Sequence, residues 1–327
     1  MPRRPCGRRG GGHGCGDDVV EPSSVHARAG GAGADGAGAA RWAAWVQARG
    51  RVFTSGATEA AAVWAAARGP GEVEPTAHDC LWSQRRAGEG GGAWLGICNN
   101  ETGVIAEPPA RADGAALMLD IVQAVGKVPF SFAWSGAEMA VVSAHKFGGP
   151  KGVGALIVRD GFDVLPALMG GGQEMGRRAG TENIIGIAGM GAAAEAAQRD
   201  LEAGLWEEVG ELRNILESAL SSGANNTISV GNGGVRLPNT LCLIAPGWKG
   251  ETQVMAMDLA GFAVSAGSAC SSGKVRASRV LMAMGFDEVQ AAQAIRVSLG
   301  PGVTKEEVLR FADVWCAQYR KALSRAA

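Results

Sequence analysis

The chain lacks an apolar run long enough to cross a bilayer, and its first thirty residues lack the apolar core of a secretory signal. It also lacks an excess of either charge, because 31 Lys and Arg against 32 Asp and Glu leave a formal net charge of −1. No electrostatic argument therefore favours nucleic acid or an anionic membrane as a partner. Seven cysteines, scattered and odd in number, do not form the pattern of a disulfide framework and favour a reducing compartment. We expect a cytoplasmic protein with no nucleic-acid or membrane partner.

Common ligand-binding signatures are also missing. No Gly-Lys-Ser/Thr follows a glycine at the spacing of a Walker phosphate loop, and the glycines within 231–234 do not form a dinucleotide fingerprint. Cys6, His13 and Cys15 have no fourth ligand at a zinc-like spacing, so we expect no metal site.

Glycine is abundant, with 51 residues, and residues 1–50 are rich in it and show no periodic apolar pattern. From residue 51 onward the pattern indicates alternating elements. It predicts strands at 51–55, 116–120, 140–144 and 154–158, and an alanine-rich helix after the first strand.

Three later helices are predicted in the second half of the chain. The segment 184–199 is almost entirely small and apolar, which predicts a buried helix, whereas 205–220 should have one solvated face. Thr304 and Glu307 form a capping box for a last helix that ends near residue 323. The pattern favours an α/β fold with a mostly parallel sheet flanked by helices, and a smaller α+β region after about residue 204.

One predicted strand ends in reactive side chains. Ser143, His145 and Lys146 precede a Gly-Gly-Pro turn, and a lysine held partly desolvated there could form a Schiff base. From these residues alone, a surface lysine in a turn is the alternative interpretation.

Three other stretches carry chemistry. The small residues of 55–59 sit where a strand turns into a helix and suit a phosphate at the helix N-terminus, although an ordinary N-cap would also explain Thr58. Asp120 ends a strand with Gln123 three residues on; it could pair with a protonated pyridine nitrogen or simply cap a helix. Cys270 lies among small polar residues, the setting of a reactive thiol, whereas most free cysteines are buried hydrophobes.

Eight strings in order carry a family resemblance. They are FTSGATE, AHDC, NNETGV, DIVQAVGK, SAHKFGGPKGVGAL, GGGQEMGRRAGTEN, SAGSACSSGKV and AIRVSLG. Together they resemble the motifs of the cysteine desulfurases, fold type I pyridoxal-phosphate enzymes of the class V aminotransferase superfamily. The context of Cys270 resembles the long-loop group, which serves iron–sulfur cluster assembly and thiolation.

The resemblance implies roles for individual residues. Lys146 would carry pyridoxal 5'-phosphate, Cys270 would receive sulfur as a persulfide, and His78 would stack on the cofactor ring and assist proton transfer. Arg296 would bind the carboxylate of L-cysteine. The other implied cofactor contacts are Ala57, Thr58, Asn100, Asp120, Gln123, Ser143, His145 and Thr181, with Asn100 also near the substrate.

The resemblance also implies an assembly and a domain plan. Thr181 matches a residue that reaches the cofactor phosphate of the other subunit, which implies a homodimer, and the sulfur acceptor would be an iron–sulfur scaffold or another protein. We expect a glycine-rich segment over 1–50, a cofactor-binding domain over 51–203 and a small domain with the Cys270 loop over 204–327.

Two alternatives stay open. The intervals between Thr58, His78, Asn100 and Asp120 are shorter than is usual in the family. An inactive or unstable remnant of the family would show this pattern. Another class V enzyme, such as a selenocysteine lyase, is the second alternative.

Overall fold

The structure is a computed structural model, and it describes residues 50–55, 74–75, 82–83, 92–107, 116–162, 164, 166, 168–266 and 277–326. The glycine-rich segment up to residue 49 and the helix predicted after the first strand lie outside the described residues. The domain boundaries proposed at 50/51 and 203/204 stay a prediction.

Strands and helices alternate along the described chain. The strands are β1 (Gly50–Ser55), β2 (Glu74–Pro75), β3 (Trp82–Ser83), β4 (Gly92–Gly96), β5 (Ala116–Asp120), β6 (Met139–Ser143), β7 (Gly154–Arg159), β8 (Ile228–Ser229), β9 (Thr240–Ile244), β10 (Ser265–Ala266) and β11 (Ala294–Ser298). The helices are α1 (Ile184–Glu202), α2 (Leu205–Gly223), α3 (Gly250–Leu259), α4 (Arg279–Ala283), α5 (Glu288–Ala292) and α6 (Lys305–Ala326). The four strands predicted before residue 160 are thus confirmed to within one residue at each end.

The larger sheet has the order β1-β7-β6-β5-β4. Its pairs β4–β5 and β5–β6 are parallel, whereas β6–β7 and β7–β1 are antiparallel. The α/β class is therefore confirmed, and the sheet is mixed within the described residues. A second sheet, β10-β11-β9-β8, is antiparallel throughout and belongs to the C-terminal part of the chain.

Both faces of the larger sheet are covered along β5, β6 and β7. Successive residues of each strand alternate between two apolar clusters, as the pleat requires. In β5, for example, Leu117 and Leu119 face one cluster and Met118 faces the other. Such double coverage explains why these strands read as continuous apolar runs in the sequence.

Helix α1 differs from the prediction that it would be buried. Only a stripe at helical spacing is buried, Gly186, Met190, Ala194 and Ala197, while Ile185 is 87% exposed. The small residues are needed for close approach on one face rather than for burial all round. Gly189 shows this, because a Cβ placed there would lie 2.6 Å from Pro150 Cγ in the turn that follows Lys146.

The other two helix predictions are confirmed. Helix α2 buries Val209, Leu216 and Leu220 and exposes Glu207, Glu208 and Glu211. At the start of α6 the backbone N–H of Glu307 donates to Thr304 Oγ1 and the Thr304 N–H donates to Glu307 Oε2, the two bonds of a capping box. Among the described residues, no helix is both long and apolar enough to cross a membrane.

The contact between α1 and the Pro150 turn gives a stability test with an internal control. Gly189→Ala should destabilise the fold, because the new methyl group has no room beside Pro150. Gly191→Ala, two residues on in the same helix, should stabilise it by about 0.5–1 kcal/mol, since nothing lies within 4 Å of its Cβ and alanine favours helix. Urea unfolding of both variants measures the difference; two equal changes would contradict the close contact.

Candidate active site

The site is organised by the parallel pairing of β5 and β6. Their register runs from Met118 opposite Met139 to Asp120 opposite Val141, so both strands end at the same edge of the sheet. Asp120 is the last residue of β5, and β6 leads directly into a 3-10 turn that ends at Lys146. In open α/β sheets, the carboxyl ends of the strands are where ligands bind. Two strings that lie apart in the chain are thereby brought together.

Asp120 is held in a low-dielectric position at this edge. Burial raises the pKa of its carboxyl above the usual value, while a hydrogen bond from the Val122 N–H (2.9 Å) and the charge of Lys146 act in the opposite direction. A buried carboxylate of this kind gains stability from a cationic partner.

Ser143 and His145 accompany Lys146 at the end of β6. Ser143 Oγ and His145 Nδ1 lie 2.8 Å apart, and Ser143 is buried whereas His145 and Lys146 are exposed. The pKa of His145 is lowered by partial desolvation, then by the positive charges of Lys146 and Lys151. The imidazole is therefore neutral at neutral pH and can exchange a hydrogen bond with the hydroxyl.

The NNETG string forms a tight turn that is stabilised by the side chain of Asn99. The side-chain oxygen of Asn99, a buried residue, accepts hydrogen bonds from the N–H groups of Glu101 (2.8 Å) and Thr102 (2.9 Å). Gly103 completes the turn with φ of 76°, and a Cβ there would lie 2.9 Å from Thr240 Cβ in β9. The turn therefore packs directly against the C-terminal sheet.

Arg296 joins this turn to the C-terminal sheet. From β11, its Nη1 donates to the backbone oxygen of Asn100 (2.8 Å) and its Nη2 donates to Ser265 Oγ in β10 (3.2 Å). These two contacts hold the guanidinium beside the turn that carries Asn100. Two residues predicted to meet the substrate are thus in contact with each other.

A buried hydrogen bond makes a second connection from the same turn. Ser278 Oγ donates to Glu101 Oε2 and accepts a hydrogen bond from the Leu281 N–H (3.1 Å), so Ser278 also caps α4. Ser265 and Ser278 flank residues 267–276, which include Cys270 and lie outside the described residues. Both flanks of that segment are therefore held by contacts that converge on Asn100 and Glu101.

The remaining predicted residues are placed as follows. Gln123 is half-buried in the turn after β5, and Thr181 is exposed two residues before Asn183, which caps α1. Glu174, 1% exposed, and the neighbouring Met175 have positive φ values of 49° and 53°, an uncommon and costly backbone for non-glycine residues. Ala57, Thr58, His78 and Cys270 lie outside the described residues.

The three described cysteines are unsuited to nucleophilic chemistry. Cys98, Cys242 and Cys316 are all buried. Burial raises the pKa of Cys98 to about 12 and also raises that of Cys316, so both remain neutral thiols at neutral pH.

Comparison with known proteins places the chain in a family. The model of the family described as aminotransferase class V matches residues 93–311, well over half of the chain. The chain therefore belongs to the class V aminotransferase family.

Individual relatives agree with this assignment. The chain is 42% identical over 215 residues to a cysteine desulfurase of Klebsiella pneumoniae, a match that covers 64% of this chain and 54% of that protein. This chain thus spans about half the length of the curated relative. A solved NifS-like protein superimposes with a TM-score of 0.61 and 33% identity, over 72% of this chain and 61% of that one. An apo cysteine desulfurase from Thermococcus onnurineus superimposes with a TM-score of 0.68 over 93% and 92% of the two chains; at 17% identity it shows the fold alone.

Class V enzymes use pyridoxal phosphate, and the described side chains fit that group. An exposed primary amine, Lys146, stands at the end of β6 for the aldehyde. A buried carboxylate, Asp120, stands at the end of the adjacent strand for the cationic ring nitrogen. A hydroxyl and an imidazole, Ser143 and His145, lie between these two positions in the chain and can donate to anionic oxygens.

Sequence reasoning missed three residues that organise the site: Asn99, Glu101 and Ser278. Asn99 and Glu101 lie inside the NNETG string, in which only Asn100 was predicted to be a site residue. An asparagine two or three residues ahead of polar and glycine positions is typical of a side-chain-capped turn, so a signal for Asn99 existed. The contact of Glu101 with Ser278 spans 177 positions of the chain and has no local signal.

Ser278→Ala tests the buried connection between the turn and α4. The change removes the N-cap of α4 and leaves the buried Glu101 side chain without this donor, so the free energy of unfolding should fall by about 2–3 kcal/mol. Asp287→Ala is the matched control, since Asp287 caps the neighbouring α5 from an exposed position and should cost about 1 kcal/mol. Equal losses in urea unfolding would show that the Glu101 contact contributes nothing.

Proposed function

We propose that this chain is a pyridoxal-phosphate-dependent cysteine desulfurase, which converts L-cysteine to L-alanine and transfers the sulfur to Cys270 as a persulfide. The observation that carries the proposal is the shared edge of β5 and β6, where Asp120 ends one strand and Lys146 ends the turn that follows the other. The identity with curated cysteine desulfurases supports the same activity.

The chain's own residues divide the binding work. Lys146 would hold the cofactor through its amine, Asp120 would bind the ring nitrogen and Gln123 the ring oxygen. The phosphate would be bound by Ala57, Thr58, Ser143 and His145. When bound, pyridoxal phosphate withdraws electrons from the substrate Cα and so acidifies its proton.

The reaction then needs a base, an anchor and a nucleophile. Lys146 Nζ removes the Cα proton, with His78 assisting proton transfer, while the Arg296 guanidinium binds the substrate carboxylate beside Asn100. The Cys270 thiolate would attack the substrate sulfur, the bond from that sulfur to Cβ would break, and protons would return to both Cβ and Cα to give alanine. The buried, neutral state of Cys98 and Cys316 supports the choice of Cys270.

A homodimer is part of the proposal. Five large apolar side chains between residues 168 and 185 are exposed to solvent: Leu168, Met169, Met175, Ile184 and Ile185. The backbone N–H of Ala179 donates to the backbone oxygen of Leu168, so the chain between them folds back on itself just before Thr181. Clustered exposed apolar side chains are typical of an interface. They support a second subunit at this surface, with Thr181 directed at its cofactor phosphate.

Delivery of the sulfur completes the proposal. A persulfide on Cys270 would be passed to an iron–sulfur scaffold or another acceptor protein, in the cytoplasm. Because residues 267–276 are flanked by anchored positions at Ser265 and Ser278, the Cys270 segment begins and ends beside the substrate-binding turn.

Lys146→Ala tests the cofactor assignment. The variant should lose both the visible absorbance of the bound cofactor and roughly 10³-fold or more of the alanine-forming rate, because the same amine binds the cofactor and moves the proton. Lys151→Ala, an exposed lysine five positions on, is the matched control and should retain both. Borohydride reduction followed by peptide mapping should locate the cofactor on Lys146. A label on Lys127 or Lys151, or a colourless wild-type protein, would contradict the proposal.

Cys270→Ser separates cofactor binding from sulfur transfer. The variant should bind pyridoxal phosphate and L-cysteine but form no persulfide, since a serine oxygen cannot accept the sulfur. Cys316→Ala, which removes a buried thiol of the C-terminal part, should still form the persulfide. Mass spectrometry of both variants after exposure to L-cysteine gives the answer. Persulfide formation that survives the loss of Cys270 would make it a loop residue only.

A further inference from the structure

Lys127 is a buried lysine beside the candidate site, and the proposed reaction gives it no role. It is 7% exposed and lies in the tight turn that follows β5. Its Nζ donates to the backbone oxygen of Gln123 (3.2 Å) and to the backbone oxygen of Lys146 (3.1 Å). The Lys127 ammonium therefore hydrogen-bonds to both segments, the one that carries Gln123 and the one that carries Lys146.

The setting of Lys127 is costly for a charged group. Burial lowers its pKa to about 8; within that net shift Cys98 acts in the opposite direction and the charge of Lys146 contributes to the lowering. Cys98 provides little compensating charge, because its own pKa is about 12. A side chain that served packing alone would be apolar here, since burial of an ammonium is unfavourable unless its hydrogen bonds are needed.

The backbone around Lys127 is packed for close approach to the Lys146 turn. Gly126 has φ of 75°, and a Cβ there would lie 3.0 Å from Phe147 Cβ and 3.0 Å from Ala197 Cβ of α1. The residue before Lys127 thus contacts the residue after Lys146. The two segments meet at Gly126 and Phe147 and through the hydrogen bond from Lys127 Nζ to the Lys146 carbonyl.

We propose that Lys127 is a positioning residue, which sets the Lys146 turn at a fixed place relative to the Asp120–Gln123 end of β5 by bonding the carbonyls of both. The inference rests on the proposed function, because the distance it fixes is that between the groups holding the two ends of the cofactor ring. Lys127 touches neither cofactor nor substrate in this role. It acts through the Lys146 backbone.

A pair of cofactor compounds separates this role from a general structural one. Pyridoxal 5'-phosphate can bond to Lys146 through its aldehyde, whereas pyridoxine 5'-phosphate has the same ring and phosphate but no aldehyde. In Lys127→Met, the near-isosteric change that removes the donor, affinity for pyridoxal phosphate should fall about tenfold, the effect of losing charged hydrogen bonds. Affinity for pyridoxine phosphate should change by less than about twofold, because binding without the covalent bond does not need Lys146 in place.

Each variant, freed of cofactor, is titrated with both compounds and followed by absorbance or fluorescence. Its thermal unfolding is first shown to match that of the wild-type protein. Lys151→Met, an exposed lysine of the Lys146 string, is the control and should change neither affinity. Lys127→Gln keeps a shorter neutral donor and replaces the methionine variant should that variant not fold; its loss should be smaller but confined to pyridoxal phosphate.

Each result has a defined meaning. Equal loss of both affinities would show that Lys127 only supports the fold, and no loss of either would show that its two bonds are dispensable; both results overturn the inference while leaving the proposed function intact. A wild-type protein that binds neither compound would overturn the proposed function and the inference with it.

Discussion

The parallel pairing of β5 and β6 is the constraint on which the rest of this molecule depends. It places the last residue of one strand, Asp120, beside the 3-10 turn that follows the other and ends at Lys146. Neither side chain needs a long loop to reach the site, because the strand ends deliver them. Successive residues of both strands alternate between the two apolar clusters that cover the sheet, so a slip of one residue would exchange the side chains packed in the two clusters and move Asp120 relative to β6. The packing that fixes the register of β5 and β6 therefore also fixes the position of Asp120 beside the turn that ends at Lys146.

The turn around Asn99 extends this arrangement to the C-terminal sheet. Arg296 bonds the Asn100 carbonyl, Ser278 bonds the Glu101 side chain, and the Leu237 N–H donates to the Gly103 carbonyl (2.7 Å). The larger sheet and the smaller one are thus joined at the candidate site itself. A change in this turn would alter the place of Arg296 relative to the edge of β5 and β6. Under the proposed function, stability and substrate binding would be coupled there for that reason.

Two unfavourable ionisable groups lie around the same edge. The buried carboxyl of Asp120 and the buried ammonium of Lys127 each cost free energy that the apolar clusters must offset. Their concentration near one site is typical of a molecule in which function, rather than stability, selected the residues. The described cysteines do not share this character, since burial leaves Cys98 a neutral thiol. The sulfur transfer proposed for this chain would need a reactive thiol from elsewhere, which agrees with the role proposed for Cys270.

Local pattern by itself determined the strands β5, β6 and β7 and the cap of α6, because apolar periodicity and capping residues act over a few neighbouring positions. The role of Lys146 is implied only by the family resemblance and stays a prediction. Local pattern was insufficient for α1, where small apolar residues indicated burial all round; the neighbours decide which face is covered, and only one stripe of the helix is buried. The mixed direction of the sheet also required the tertiary structure, since a strand's pattern does not encode the direction of its partner. The contacts from Ser278 to Glu101, from Arg296 to Asn100 and from Lys127 to the Lys146 carbonyl span 177, 196 and 19 positions. Only the folded chain decides such pairs, because hydrogen bonds between distant residues leave no periodic trace in the sequence.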